Sequence, residues 1–118
     1  MNKNPQYELF LLSKRHKVLD YGRVIKQSDI HPNLFNWQKD IASWATRKGR
    51  GAIFLDTGLG KTYIQLEWAK LLKENTLIIA PLSVARQTVR MAKDIDLDVR
   101  YVREQSQIIS NHKLWITN

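Results

Sequence analysis

The sequence predicts an α/β fold in which a parallel sheet is flanked by helices. Two observations carry that expectation. Short apolar runs at Ala52–Leu55, Thr76–Ala80, Val99–Val102 and Leu114–Thr117 alternate with segments of helical length. One of them, Thr76-Leu77-Ile78-Ile79-Ala80, is apolar almost throughout, as in a strand covered on both faces of a parallel sheet. Strand–helix alternation at this spacing implies βαβ units with right-handed crossovers.

The elements follow in order. Tyr7 to His16 can form a short helix with Leu9, Leu12 and Phe10 toward one side. Lys17 to Asn33 is irregular, punctuated by Gly22, Ser28-Asp29 and His31-Pro32-Asn33. Asn36 to Lys48 is an amphipathic helix whose expected inner face is Trp37, Ile41, Trp44 and Ala45. Arg47 and Lys48 suit its negative end, and Gly49 is a natural stop. Ala52–Leu55 is the first strand, followed by a glycine-rich turn and a helix from Lys61 to Lys73. That helix is apolar around most of its surface and is expected to be well buried. Thr76–Ala80 is the second strand, and Pro81 ends it. Ser83 is the expected N-cap of a helix from Val84 to Asp94. The remaining strands are Val99–Val102 and Leu114–Thr117, with the stretch between them left unassigned.

Composition narrows the function classes. A chain of 118 residues with 43% hydrophobic and 25% charged residues suits one compact domain. No apolar run reaches the roughly 18 residues of a membrane span, so no membrane role is expected. Cysteine is absent, which removes disulfides and zinc-finger spacings and fits a cytoplasmic protein. His16, His31 and His112 are too far apart in sequence to read as a metal-ligand motif. The net charge of +8 favours a polyanionic partner, because each Lys or Arg on a phosphate releases a counterion.

The strongest chemical signal is Thr57-Gly58-Leu59-Gly60-Lys61-Thr62, set between an apolar run and a helix. Glycines let backbone N–H groups turn inward around an anion, and a helix start adds its positive dipole end. Lys61 can reach the outer phosphates of a nucleotide, and the Thr62 hydroxyl can take Mg²⁺. Leu55 stands where the full phosphate-loop pattern has its first glycine. Hydrolysis would further require an acidic residue after a second strand, and no apolar strand here ends in Asp-Glu. Asp94, Asp96 and Asp98 read as solvated turn residues, and Asp56 as one that shapes the loop.

Three ordered motifs carry a family likeness. Phe35-x-Trp37-Gln38-x-x-Ile41, then Gly49-Arg50-Gly51 with Leu55-Asp56-Thr57-Gly58-Leu59-Gly60-Lys61-Thr62, then Thr76-Leu77-Ile78-Ile79-Ala80-Pro81-Leu82-Ser83-Val84 resemble the start of a superfamily 2 helicase. Within that group the likeness is to the SWI/SNF-like and phage-type DEAD/DEAH-box ATPases, and it covers nearly the whole chain. It implies a partial RecA-like P-loop NTPase domain that uses ATP and Mg²⁺ and moves on nucleic acid, DNA in the first place. Gln38 would read the adenine edge, and Phe35 or Trp37 would pack on the base. Pro81, Ser83, Arg86, Gln87, Arg90 and Lys93 would touch the nucleic-acid backbone. Arg86, Arg90 and Lys93 also share one helical face by spacing, which fits either a phosphate track or a solvated face. Arg47, Lys48 and Arg50 form a second basic cluster with the same two readings.

The family's acidic Mg²⁺ motif, its later motifs and its second RecA-like lobe have no counterpart here. The expectation is therefore an incomplete first lobe over residues 35–118, preceded by an N-terminal helix and irregular arm over 1–34. Such a chain binds nucleotide and does not turn it over alone. The rival readings are a shortened, non-enzymatic helicase-like module that binds DNA or docks on a partner, and a different P-loop enzyme such as a small kinase.

Overall fold

The computed structural model describes residues 4–15 and 19–118. It is an α/β arrangement of four helices and a parallel three-stranded sheet among the described residues. The helices are α1 (Pro5–Lys14), α2 (Asn36–Lys48), α3 (Lys61–Leu72) and α4 (Leu82–Ala92). The strands are β1 (Thr76–Ile79), β2 (Arg100–Tyr101) and β3 (Leu114–Thr117), in the order β1-β3-β2. Thr76 faces Leu114 and Ile79 faces Thr117 along one parallel ladder, while Arg100 and Tyr101 face Trp115 and Ile116 along the other. The central strand β3 is the most buried, at Leu114, Trp115 and Ile116.

Helix α1 starts where local chemistry dictates. The Asn4 side chain accepts the Gln6 N–H at 3.0 Å, and Pro5 occupies the first turn, where its missing N–H costs nothing. None of its residues is buried, so Leu9, Phe10 and Leu12 line no core. The expected end of this helix at His16 lies outside the described residues, and the ordered turns stop at Lys14.

The arm that follows closes the end of α2. The last four carbonyls of a helix lack intrahelical donors. Here Gly49, Arg23, Gly22 and Tyr21 donate their N–H groups to Ala45, Thr46, Arg47 and Lys48 in turn. Gly22 is required by this contact, since a Cβ there would lie 1.7 Å from the Thr46 carbonyl oxygen. Asp20 pairs with Lys48 at 2.7 Å and with Arg47 at 3.7 Å. Its hydrogen bond from Lys48 holds the carboxyl below its ordinary range. Arg50 lies over the Tyr21 ring, 5.3 Å from its centroid. The second basic cluster thus has local partners that fasten the arm.

Further along, the arm enters the core at Ile30 and Leu34. The His31 N–H donates to Glu67 Oε1 at 2.9 Å, and the His31 ring meets Asp96 at 2.8 Å. Glu67 is fully buried on α3 and is also paired with Lys70. This makes the apolar-looking α3 the carrier of a buried carboxylate that holds the arm.

Four local expectations need correction. Ala52–Leu55 forms no strand: the segment runs without a ladder, and Phe54 is 92% exposed. Apolar character alone does not make a strand without a partner to pair with. The buried residues of α2 are Gln38, Ala42, Ala45 and Thr46, the expected rhythm moved by one position, while Trp37 and Trp44 remain partly exposed. Small residues on that seam allow close approach to α3, and Thr46 satisfies its hydroxyl on the Ala42 carbonyl at 2.7 Å. Strand β1 is covered on one face only, with Leu77 50% and Ile79 75% exposed. Finally, α4 begins at Leu82 with Pro81 as its N-cap, and Ser83 makes no capping hydrogen bond. The chain leaves α4 through a 3₁₀ turn at Lys93–Ile95.

Candidate functional site

The glycine-rich turn stands between α2 and α3. Gly58 and Gly60 both adopt left-handed backbone conformations, at φ 80° and 71°. At Gly60 a Cβ would also strike Gln38 Nε2 at 2.5 Å, whereas the space beside Gly58 is open. The Thr57 N–H is held by the Asp56 carboxylate at 2.8 Å, which makes Asp56 a turn-shaping residue. Lys61 opens α3, and its Nζ donates to the Leu55 carbonyl at 2.8 Å. The lysine is thereby folded back along the turn it would serve.

A cavity of about 620 Å³ lies against this turn. Asn33, Leu34 and Phe35 of the arm form one side, and Trp37 and Gln38 of α2 another. Gly58, Leu59 and Gly60 form the wall toward the turn, and Tyr63, Asp94 and Ile95 complete it. A second cavity of about 240 Å³ is lined by Ile53, Lys61, Thr62, Gln65 and Trp68. The glycine turn therefore has a mainly apolar pocket on one side and the Lys61 and Thr62 side chains on the other.

Gln38 links the pocket to the turn. Its Oε1 accepts the Phe35 N–H at 2.9 Å, a reach from the third helical position back to the N-cap. Its Nε2 donates to the Leu59 carbonyl at 3.1 Å. The side chain is only 4% exposed, so Gln38 belongs to the buried seam of α2 and not to a solvated face. A primary amide has two donor hydrogens and two acceptor lone pairs. One of each is used here, which leaves one donor and one acceptor for a ligand in the pocket.

At the rim, the Tyr63 hydroxyl donates to Asp94 Oδ2 at 2.8 Å, and the Asn33 amide donates to the Asp94 carbonyl at 3.2 Å. The hydrogen bond to Asp94 pushes the Tyr63 phenol above its ordinary pKa, so it keeps its proton and remains a donor. Sequence reasoning gave Tyr63 no role, read Asn33 as loop punctuation and took Asp94 for a solvated turn residue. Only the fold, which brings the turn after α4 against the start of α3, sets these residues beside Gln38.

Gln38, Gly58, Leu59 and Gly60 thus line one cavity, and Lys61 and Thr62 line a second on the other side of the turn. The residues expected to meet nucleic acid lie apart on α4. Pro81, Ser83, Arg86, Gln87 and Arg90 are exposed along it, and Lys93 is exposed in the 3₁₀ turn beyond. Ala85, Thr88 and Ala92 turn inward. Among the described residues Arg86, Arg90 and Lys93 have no acidic partner, unlike Arg47 and Lys48. No group of three or more His, Asp or Glu side chains is placed to hold a metal ion among the described residues. No described helix is long and apolar enough to cross a membrane.

Comparison of the chain with protein-family models, with curated proteins and with solved structures gave no match.

Proposed function

We propose that this chain is the ATP-binding portion of a first RecA-like lobe from a superfamily 2 helicase or translocase, acting on DNA in the cytoplasm. The observation that carries the reading is the direct hydrogen bond between Gln38 and the glycine turn, at the wall of the cavity of about 620 Å³. It sets an amide able to pair with a base directly against the glycine turn, in the lining of one cavity. The free donor and acceptor of Gln38 match adenine, which offers N7 as acceptor and its amino group as donor. Guanine offers two acceptors on the same edge and leaves the Gln38 oxygen unmatched.

The residues fit a triphosphate. The open space at Gly58, the left-handed turn and the start of α3 suit an anion, and Lys61 has only to exchange the Leu55 carbonyl for phosphate. Thr62 would hold Mg²⁺, whose contribution when bound is to neutralise phosphate charge. Among the described residues no acidic side chain lines the cavity of Lys61 and Thr62. This supports nucleotide binding without turnover by the chain alone, coupling to movement requiring a second lobe.

Competition of ATP and GTP for a fluorescent adenine nucleotide tests the base-reading role. ATP is expected to bind about tenfold tighter than GTP, and Gln38→Ala to erase the preference. Equal affinities in the unaltered chain would remove Gln38 from that role.

A second reading, a non-enzymatic module that binds DNA or docks on a partner, is favoured by the unpaired basic face of α4 and the free edge of β1. Nucleic-acid binding indifferent to ATP and to Lys61→Ala would select it.

A further inference from the structure

We infer that Asp94, positioned by Tyr63, accepts the ribose hydroxyls of the bound nucleotide and makes this site selective for ribonucleotides over 2′-deoxyribonucleotides. The inference rests on the nucleotide reading above and adds a residue that the motifs do not contain. Gln38 is buried in one wall of the cavity, the glycine turn forms another wall, and Asp94 is exposed at the rim. A nucleotide whose base meets Gln38 and whose phosphates meet Gly58–Gly60, two groups already in contact, has to bow its sugar out into the cavity. The sugar edge then faces the rim where Asp94 stands.

The chemistry of Asp94 suits that place. An ionised carboxylate only accepts hydrogen bonds, and a ribose carries adjacent hydroxyl donors. Carboxylate capture of a ribose 2′-hydroxyl recurs in dinucleotide sites on unrelated chains. Asp94 Oδ2 takes the Tyr63 hydroxyl, which fixes the group, and Oδ1 has no partner among the described residues. The Asn33 amide on the Asp94 carbonyl holds the backbone from the other side of the cavity. Asp94 is not needed for the adenine amino group, because the acceptor left on Gln38 serves it.

Tyr63 acts through Asp94 and is a positioning residue. It sits in the first turn of α3, where its N–H donates to the Gly60 carbonyl at 3.1 Å. The same turn that shapes the phosphate wall therefore sets the hydroxyl that orients Asp94.

The test is a calorimetric comparison of Mg²⁺-ATP and Mg²⁺-2′-deoxy-ATP on the full chain, on Asp94→Ala, on Tyr63→Phe and on Lys61→Ala, each shown by circular dichroism to be folded. The readout is the ratio of the two affinities, because removing a negative charge near a triphosphate alters both nucleotides alike. The unaltered chain is expected to prefer ATP about tenfold, the worth of one charge-assisted hydrogen bond. Asp94→Ala should bring the ratio to about one, and Tyr63→Phe should leave it between the two. A purely structural role for either residue would weaken both nucleotides and preserve the ratio. A ratio near one in the unaltered chain, or one unchanged by Asp94→Ala, overturns the inference. If ATP binding is still lost in Lys61→Ala, the nucleotide reading survives that failure. Absence of ATP binding by the folded, unaltered chain overturns both.

Discussion

Single residues decide how this chain is held together, and the decisive ones are small or buried and polar. Gly22 is the clearest case. The arm lies flat on the end of α2 because no side chain stands between Gly22 and the Thr46 carbonyl. Three arm N–H groups then satisfy the carbonyls of Thr46, Arg47 and Lys48. Gly22→Ala should lift the arm from the helix and cost about 2–3 kcal/mol of stability in urea unfolding, as exposed ends regain water and lose geometry. An unchanged midpoint would mean that the arm contributes nothing to stability. Gln38 and Glu67 belong with Gly22. Each would be a poor choice for a packed seam by composition alone, and each is kept there by named partners. The need for glycine at positions 58 and 60 was legible in the sequence because a tight turn into a helix calls for left-handed backbone there. The partners of Glu67, Asp94 and Tyr63 were not, because they come together only through contacts between segments far apart in the chain.

At the scale of elements, existence was easier to read than burial. Helices α2, α3 and α4 and strands β1 and β3 fall close to their expected spans, since periodicity and Gly or Pro punctuation mark them locally. Which side of each is covered depends on its neighbours. In α2 the Trp residues suggested one face, yet the small residues one position on are the ones that meet α3. In β1 the unbroken apolar run suggested two covered faces, while the sheet covers Ile78 and leaves Ile79 exposed. Ile78→Ala is therefore expected to cost about 2–5 kcal/mol, and Ile79→Ala less than about 1 kcal/mol, in paired urea titrations. Equal losses would show that both faces of β1 are buried in solution. The segment at Ala52–Leu55 failed as a strand for a related reason: no described strand pairs with it.

Helix α4 carries its own prediction. Its inner face is built of Ala85, Thr88 and Ala92, so the outer residues Arg86, Arg90 and Lys93 are free to change without disturbing the core. If they form a phosphate track, replacing all three by Ala lowers the slope of log affinity for duplex DNA against log salt by about 2–3. A slope that does not move would assign them to a solvated face. The comparison is sharpened by Arg47 and Lys48, whose pairing with Asp20 gives them a structural task.

For the whole molecule, the expected α/β class with a parallel sheet flanked by helices holds. The sheet is small, with β3 at its centre and, among the described residues, one edge of β1 unpaired. The arm, α2, the glycine turn, α3 and the turn after α4 meet around one cavity, while Lys61 and Thr62 line a second on the other side of the turn. Among the described residues Arg86, Arg90 and Lys93 have no acidic partner, and none of the three lines either cavity at the turn. The account stands on the glycine turn binding phosphate. Calorimetric titration of Mg²⁺-ATP into the folded chain and into Lys61→Ala tests that claim directly. Saturable binding by the chain, reduced at least about a hundredfold in the variant, is the expected result, since Lys61 supplies the mobile positive charge of the turn. Equal heats from both proteins would contradict the claim and leave the turn as a helix start that merely needs glycine.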